Sequence, residues 1–380
     1  MRRFVLIVLL GAIPAGVAAQ SSQFGTRGLG LPGREESARA LGSAGAFALF
    51  DPQSSVSPAA IAYLPAMTAT FTVLGDYRSA TDPGGTTSLR DFHFPQFAIG
   101  GPIPKVPLSV GLSYSNYATR DYSLVFPATV TLRGVPVNVS DTIESRGGIN
   151  DFRLAVAYRL GTKWAVGAAA HIITGSTRQN VSRVFSDTTY RPSRQRAEVS
   201  YAGFGVSIGI VGQLARTLSV SLLARSDGHV NVEEDSLPNQ QRVDLPITVG
   251  GGLIWRPTPK LQFGGQVLAR NWSTANDDLI ANGGVGAVNT IEAAGGLEFI
   301  PNPRRPGRNP LRLGFRYAKL PFPLSPGVES KEYSLSVGTG HTFAADRAGI
   351  DLAVERTWRR QDDSFNERAW LVTFGITVRP

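Results

Sequence analysis

The sequence predicts an all-β fold: a transmembrane antiparallel β-barrel of about 14 strands with a small N-terminal plug inside its lumen. Three observations carry this prediction. From Met67 onward the apolar residues recur with period two, the signature of strands. The links between these segments are short and long in turn. Ahead of them lies Ser37 to Leu64, an Ala-, Gly- and Ser-rich stretch with almost no charge.

Met1 to Ala19 reads as a secretory signal. Arg2 and Arg3 form a charged start, Phe4 to Ile13 an apolar core, and Val17-Ala18-Ala19 a small-residue cleavage site. The division expected is residues 1–19 signal peptide, 20–66 plug and 67–380 barrel. No later run of 18 apolar residues exists, which excludes helical spanning. The chain has no Cys, so disulfides, thiolate chemistry, Cys-ligated metals and a lipoprotein anchor are excluded. The net charge is +9, but no basic cluster is interleaved with aromatics, so no nucleic-acid partner is expected. Gly28-Leu29-Gly30-Leu31-Pro32-Gly33 matches a dinucleotide fingerprint only formally, because no strand precedes it and Pro32 interrupts it.

The stretch Ser37 to Leu64 cannot be a strand, because Gly42, Gly45, Pro52 and Pro58 would break any ladder. It is also too short and broken to span a bilayer. Within it, Ser57 is placed as an N-cap and Pro58 as the first residue of a short helix running to Leu64, stopped by Pro65.

Strand cores are expected at 67–78, 92–100, 107–116, 148–160, 164–173, 198–210, 217–225, 242–255, 261–271, 290–300, 311–318, 332–341, 348–358 and 369–378. The fourth sets Phe152, Leu154, Val156 and Tyr158 against Asp151, Arg153, Ala155, Ala157 and Arg159. Alternation would also suit a soluble sandwich. The links discriminate better. Those after even strands are short (GTK, RPTPK, TFAADR among them), whereas 117–147, 174–197, 226–241 and 272–289 are long and polar. That is the pattern of long extracellular loops and short periplasmic turns. An even strand count puts both termini in the periplasm. Trp164, Trp255, Trp272, Trp358 and Trp370 lie near expected strand ends, where interfacial girdles sit.

The run ALGSAGAFALFDPQSSVSPAAIAYL resembles the N-terminal hatch of the long-chain fatty acid outer-membrane transporter (FadL) family, which includes PorV-like relatives. There an Asp-x-Ser is followed by Asn-Pro-Ala. Here Asp51 and Ser54 stand one residue further apart, and Ser57, Pro58 and Ala59 occupy the second motif, with Ser57 in place of Asn. The segment LRLGFRYAKLPF and the final WLVTFGITVRP also look like that family's C-terminal third, although this chain ends on Val378-Arg379-Pro380 rather than on an aromatic. The resemblance implies a monomer in outer-membrane lipid that passes an apolar solute, a long-chain fatty acid or hydrocarbon. The solute would pass the hatch and leave through a lateral opening at a strand kink. Candidate kinks are Pro95, which removes a ladder bond from the second strand, and the Gly-rich tracts, including Gly250–Gly252, with Pro95 the first to inspect.

Asp151, Arg153, Arg159, Glu292, Glu298, Arg312, Arg316, Asp351 and Glu355 share the lumen phase, in both signs. They are expected to neutralise one another and the hatch backbone, with Glu298 and Arg312 as a candidate cross-strand pair whose register the sequence leaves open. Gly205-Val206-Ser207-Ile208-Gly209 fits the Gly-x-Ser-x-Gly nucleophile pattern, yet it sits inside an expected strand rather than at a strand-to-helix turn. His93, His171, His229 and His341 show no metal-site spacing. No catalytic residue, metal or cofactor is therefore expected. Two competing readings remain. A related barrel would serve as a secretion-system scaffold, gripping proteins with its extracellular loops. A barrel hydrolase would need Ser207 within hydrogen-bond reach of a His.

Overall fold

A computed structural model describes residues 22–82, 85–235, 241–281, 284–363 and 365–380. The expected signal, 1–19, lies outside them. The architecture is a closed 14-strand antiparallel barrel. Its strands are β1 (Thr68–Asp82), β2 (Gly85–Pro102), β3 (Leu108–Thr119), β4 (Val135–Leu160), β5 (Trp164–Phe185), β6 (Ser193–Ala215) and β7 (Leu218–Ser226). They continue as β8 (Ile247–Thr258), β9 (Leu261–Arg270), β10 (Thr290–Phe299), β11 (Arg308–Leu320), β12 (Ser330–Phe343), β13 (Ala348–Arg360) and β14 (Asn366–Val378). Pairing of β14 with β1, from Val378↔Ala69 to Asn366↔Thr81, closes the barrel and leaves no edge there.

The two faces settle what alternation alone left open. On β4, Asp151, Arg153, Ala155 and Ala157 are buried, while Phe152 is 43% and Leu154 59% exposed. Trp370, Val372 and Ile376 of β14 likewise point outward, against buried Leu371, Thr373 and Thr377. A soluble sandwich buries its bulky face. Here the apolar side chains form the outer surface, as lipid-facing strands require.

Among the described residues four further short strands add to the barrel wall. Tyr122–Leu132 pairs with the distal half of β4, so the expected loop 117–147 is largely a hairpin. β4, β5 and β6 are 26, 22 and 23 residues long, roughly twice the 9–11 that cross a bilayer. They project at the end that carries the long links. His229–Glu234 prolongs β7 along β6, and Gln241–Asp244 folds back on it. The expected strand 242–255 is thus two, broken at Leu245-Pro246, because Pro246 offers no N–H to a ladder. The fourth, Leu31–Pro32, belongs to the N-terminal segment and pairs with the end of β3.

Candidate functional site

Residues 22–66 lie inside the barrel. Between Glu36 and Leu64 almost every side chain is buried, including Ala44, Ala46, Ala48 and Leu49. The segment folds as a helical turn Ala38–Leu41, a run of turns, and a 3-10 turn Pro58–Tyr63. Small residues matter because backbones touch. A Cβ at Gly314 of β11 would lie 2.1 Å from the Ser43 carbonyl, and one at Gly167 of β5 would lie 2.6 Å from the Ala59 nitrogen. Neither position accepts a larger residue without moving the segment.

Asp51 folds the segment on itself. Its Oδ2 accepts from Ser37 Oγ at 2.5 Å and from Ser54 Oγ at 2.8 Å, and the Ser37 N–H donates to Ser54 Oγ at 3.0 Å. Ser37 Oγ also caps the Ala38–Leu41 turn. Ser57 holds the N-cap position of the next turn but makes no capping bond. Its hydroxyl is buried and has no hydrogen-bond partner among the described residues. Ser57, Pro58 and Ala59 sit against the Gly167–Gly209 rung of β5 and β6.

The wall holds the segment by polar contacts spread round its circumference. Gln96 Nε2 donates to the Gln53 carbonyl at 2.6 Å, Ser221 Oγ to Leu49 O at 3.2 Å and Ser336 Oγ to Gly42 O at 3.1 Å. Leu49 N donates to Gln266 Oε1 at 3.0 Å. Arg153 donates to the Ser55 carbonyl and to Ser113 Oγ, and Arg159 to the Ala62 carbonyl beneath the Tyr63 ring.

The other lumen charges pair among themselves. Glu298 and Arg312 are register partners, with Arg312 Nε 2.8 Å from Glu298 Oε1 and Nη1 2.7 Å from Asp351 Oδ1. Arg316 lies 2.9 Å from Glu292 and also pairs with Glu332, which Arg359 shares. Glu355 takes Arg34 of the inner segment at 2.9 Å. Sequence reasoning missed Asp76, Arg78, Glu332, Arg359 and Glu367, which extend this belt. Asp76 and Arg78 share the phase of buried Thr70 and Thr72, a signal that was present. Glu332, Arg359 and Glu367 lie at or beyond expected strand ends.

A second cluster joins β4 to β7. Asp151 Oδ2 is 2.8 Å from His171 Nδ1, and His171 Nε2 is 2.9 Å from Ser207 Oγ. Arg225 reaches Asp151 at 2.9 Å, Asp227 at 2.7 Å and Glu35 of the inner segment at 2.8 Å.

Beside the inner segment a cleft opens. Leu41, Leu74, Trp272, Leu320 and Leu371 give it apolar walls, and the ionic belt runs along one side. Leu29 enters an apolar cluster above it with Ile149, Ile173, Tyr201, Trp272 and Phe322. Pro95 lines the same cleft. Here the wall is incomplete: the ladder of β2 with β3 runs only from Pro102↔Ser109 to Gln96↔Ser115. Pro95, which follows the last rung, has no N–H to continue it. Above that rung Ala118 and Thr119 pair instead with Pro32 and Leu31. The opposite ladder, β1 with β2, is irregular at the same level, between Thr72 and Leu74.

Against known proteins, the family model described as BamG matches residues 1–224. No curated protein matches the chain. Among solved structures it is similar to a Pseudomonas aeruginosa FadL homologue (13% identity, 92% of this chain and 99% of that one, TM-score 0.64). It is also similar to the P. putida toluene transporter TodX (12%, 92% and 99%, TM-score 0.58) and to the CymD monoaromatic hydrocarbon channel (12%, 95% and 99%, TM-score 0.55). At these identities the likeness is one of fold.

Proposed function

The chain belongs to the BamG family, and from that premise and the barrel's geometry we propose that it carries hydrophobic small molecules across the bacterial outer membrane. Residues 20–66 act as the hatch, and 1–19 as the signal removed on export. The observation that carries this reading is the apolar-walled cleft that meets the end of the β2–β3 ladder at Pro95. The axial route is blocked by the inner segment. A solute in the cleft lies instead beside a wall whose ladder has stopped, so sideways exit into lipid breaks no β2–β3 ladder bond.

The substrate class is hydrocarbons or long-chain fatty acids. Structures of the same fold include a toluene transporter and a monoaromatic hydrocarbon channel. The belt beside the cleft is internally neutralised, so it stays fixed as an uncharged solute passes. The barrel works as a monomer in outer-membrane lipid, and its projecting strands are where a protein partner would dock.

The test is uptake of labelled toluene and of a labelled long-chain fatty acid by cells that make the barrel, beside an empty-vector control and a polar dye. Uptake above control without dye entry supports transport. No uptake from a correctly inserted barrel sinks it.

A further inference from the structure

Gly205-Val206-Ser207-Ile208-Gly209 plays no part in the transport reading, yet the barrel closure gives its serine chemical company. Ala169 faces Ser207 across β5 and β6, and Arg153 faces His171 across β4 and β5. Side chains two residues apart therefore converge from three strands. With its proton on Nδ1, His171 donates to Asp151 and accepts the Ser207 hydroxyl at Nε2. The order carboxylate, imidazole, hydroxyl is that of an activated serine. Arg225 holds the other side of Asp151, so the carboxylate and the ring are fixed.

We propose that Ser207 and His171, positioned by Asp151, form a hatch-covered nucleophilic site for the acyl group of an apolar carboxylic ester. Ser207 Oγ attacks the ester carbonyl carbon as its proton moves to His171 Nε2. The C–O bond to the alcohol then breaks, and the same proton goes to the departing alkoxide. Water repeats the sequence on the acyl-serine and releases the carboxylic acid. No oxidant or cofactor enters the balance.

The site is closed as it stands, since Ser207 is only 3% exposed. Arg225, its register partner on β7, flanks it, and the turn of the inner segment closes the same lumen face. Ser57 and Pro58 lie over Gly209, two residues along the same face, and Ala59 rests on Gly167. The unpartnered Ser57 hydroxyl is a free donor beside this rung. The inference needs only that this turn lifts; it does not depend on what, if anything, the barrel transports.

The test uses the purified full-length barrel, a fluorophosphonate serine probe, and peptide mapping of the label. Folding is checked by heat-modifiable migration. Gly167→Val pushes the turn aside, because its side chain collides with the Ala59 backbone, and Glu35→Ala, which frees one arm of Arg225, is the milder second variant. Label on Ser207 is expected in the folded barrel, faster with the turn displaced. It should be absent in Ser207→Ala and about 100-fold slower or more in His171→Gln, the usual worth of a general base. No label on Ser207 in a folded variant, or equal labelling with and without His171, overturns the proposal.

Discussion

Gln96 and Ser115 form the last rung between β2 and β3, and Gln96 also donates its side-chain Nε2 to the Gln53 carbonyl. One residue thus ends the wall ladder and anchors the inner segment. Where the β2–β3 ladder ends and where the inner segment attaches are the same place.

Pro95 borders the end of that ladder. Pro95→Val restores an N–H next to the last rung, so the ladder can add a bond worth about 1 kcal/mol. If the open wall is the exit, uptake of an apolar tracer falls roughly fivefold by the same arithmetic. Barrel folding on a heat-modification gel should not change. Unchanged uptake would move the exit elsewhere.

Gly314 sets how close the hatch packs. Its missing Cβ leaves room for the Ser43 carbonyl at 2.1 Å. Gly314→Val overpacks this contact, at about 1–3 kcal/mol. The hatch should become sensitive to protease, and a polar dye should leak, while the barrel still forms. Hydrogen exchange over residues 37–64 reads the same loosening directly.

Asp51 is the internal staple of the hatch. Asp51→Ala leaves the Ser37 and Ser54 hydroxyls without their carboxylate. Each hydrogen bond to a charged group is worth about 1.5–3 kcal/mol. Faster exchange is expected at the amides of Ser37 and Ser54, with the wall strands unaffected. Exchange at the native rate would show that packing alone holds the turn.

Arg316 stands between Glu292 and Glu332. Arg316→Ala leaves two carboxylates buried without it, an effect of about 3–5 kcal/mol. The heat-modification midpoint should fall sharply. Added salt should not rescue the variant, because the cluster is shielded from solvent ions. Arg178 and Glu198, an exposed pair on the projecting strands, serve as the control. Arg178→Ala should change the midpoint little.

Glu298 and Arg312 stood out in the sequence as candidates for a cross-strand pair, on shared phase across a short link, but their register came only with the structure. Asp151, His171 and Ser207 were each visible singly, on three strands, but their meeting was not. Each strand can slide against its neighbour in steps of two residues without exposing its lumen face. The loop between β3 and β4 failed for another reason. Val135, Val137 and Val139 alternate, yet polar neighbours masked a strand that runs on beyond the expected core.

By itself the sequence determined the period-two strands, their even number and the small-residue inner segment. Those properties are local: a side chain's phase in a strand and a Gly or Pro in a turn act within a few residues. Only the tertiary structure decided where the β2–β3 ladder ends, which carboxylate each arginine takes, and that Ser207 lies beside His171. Those depend on registers summed round a closed barrel, and closure links residues that are hundreds of positions apart, as it does Arg78 and Glu367.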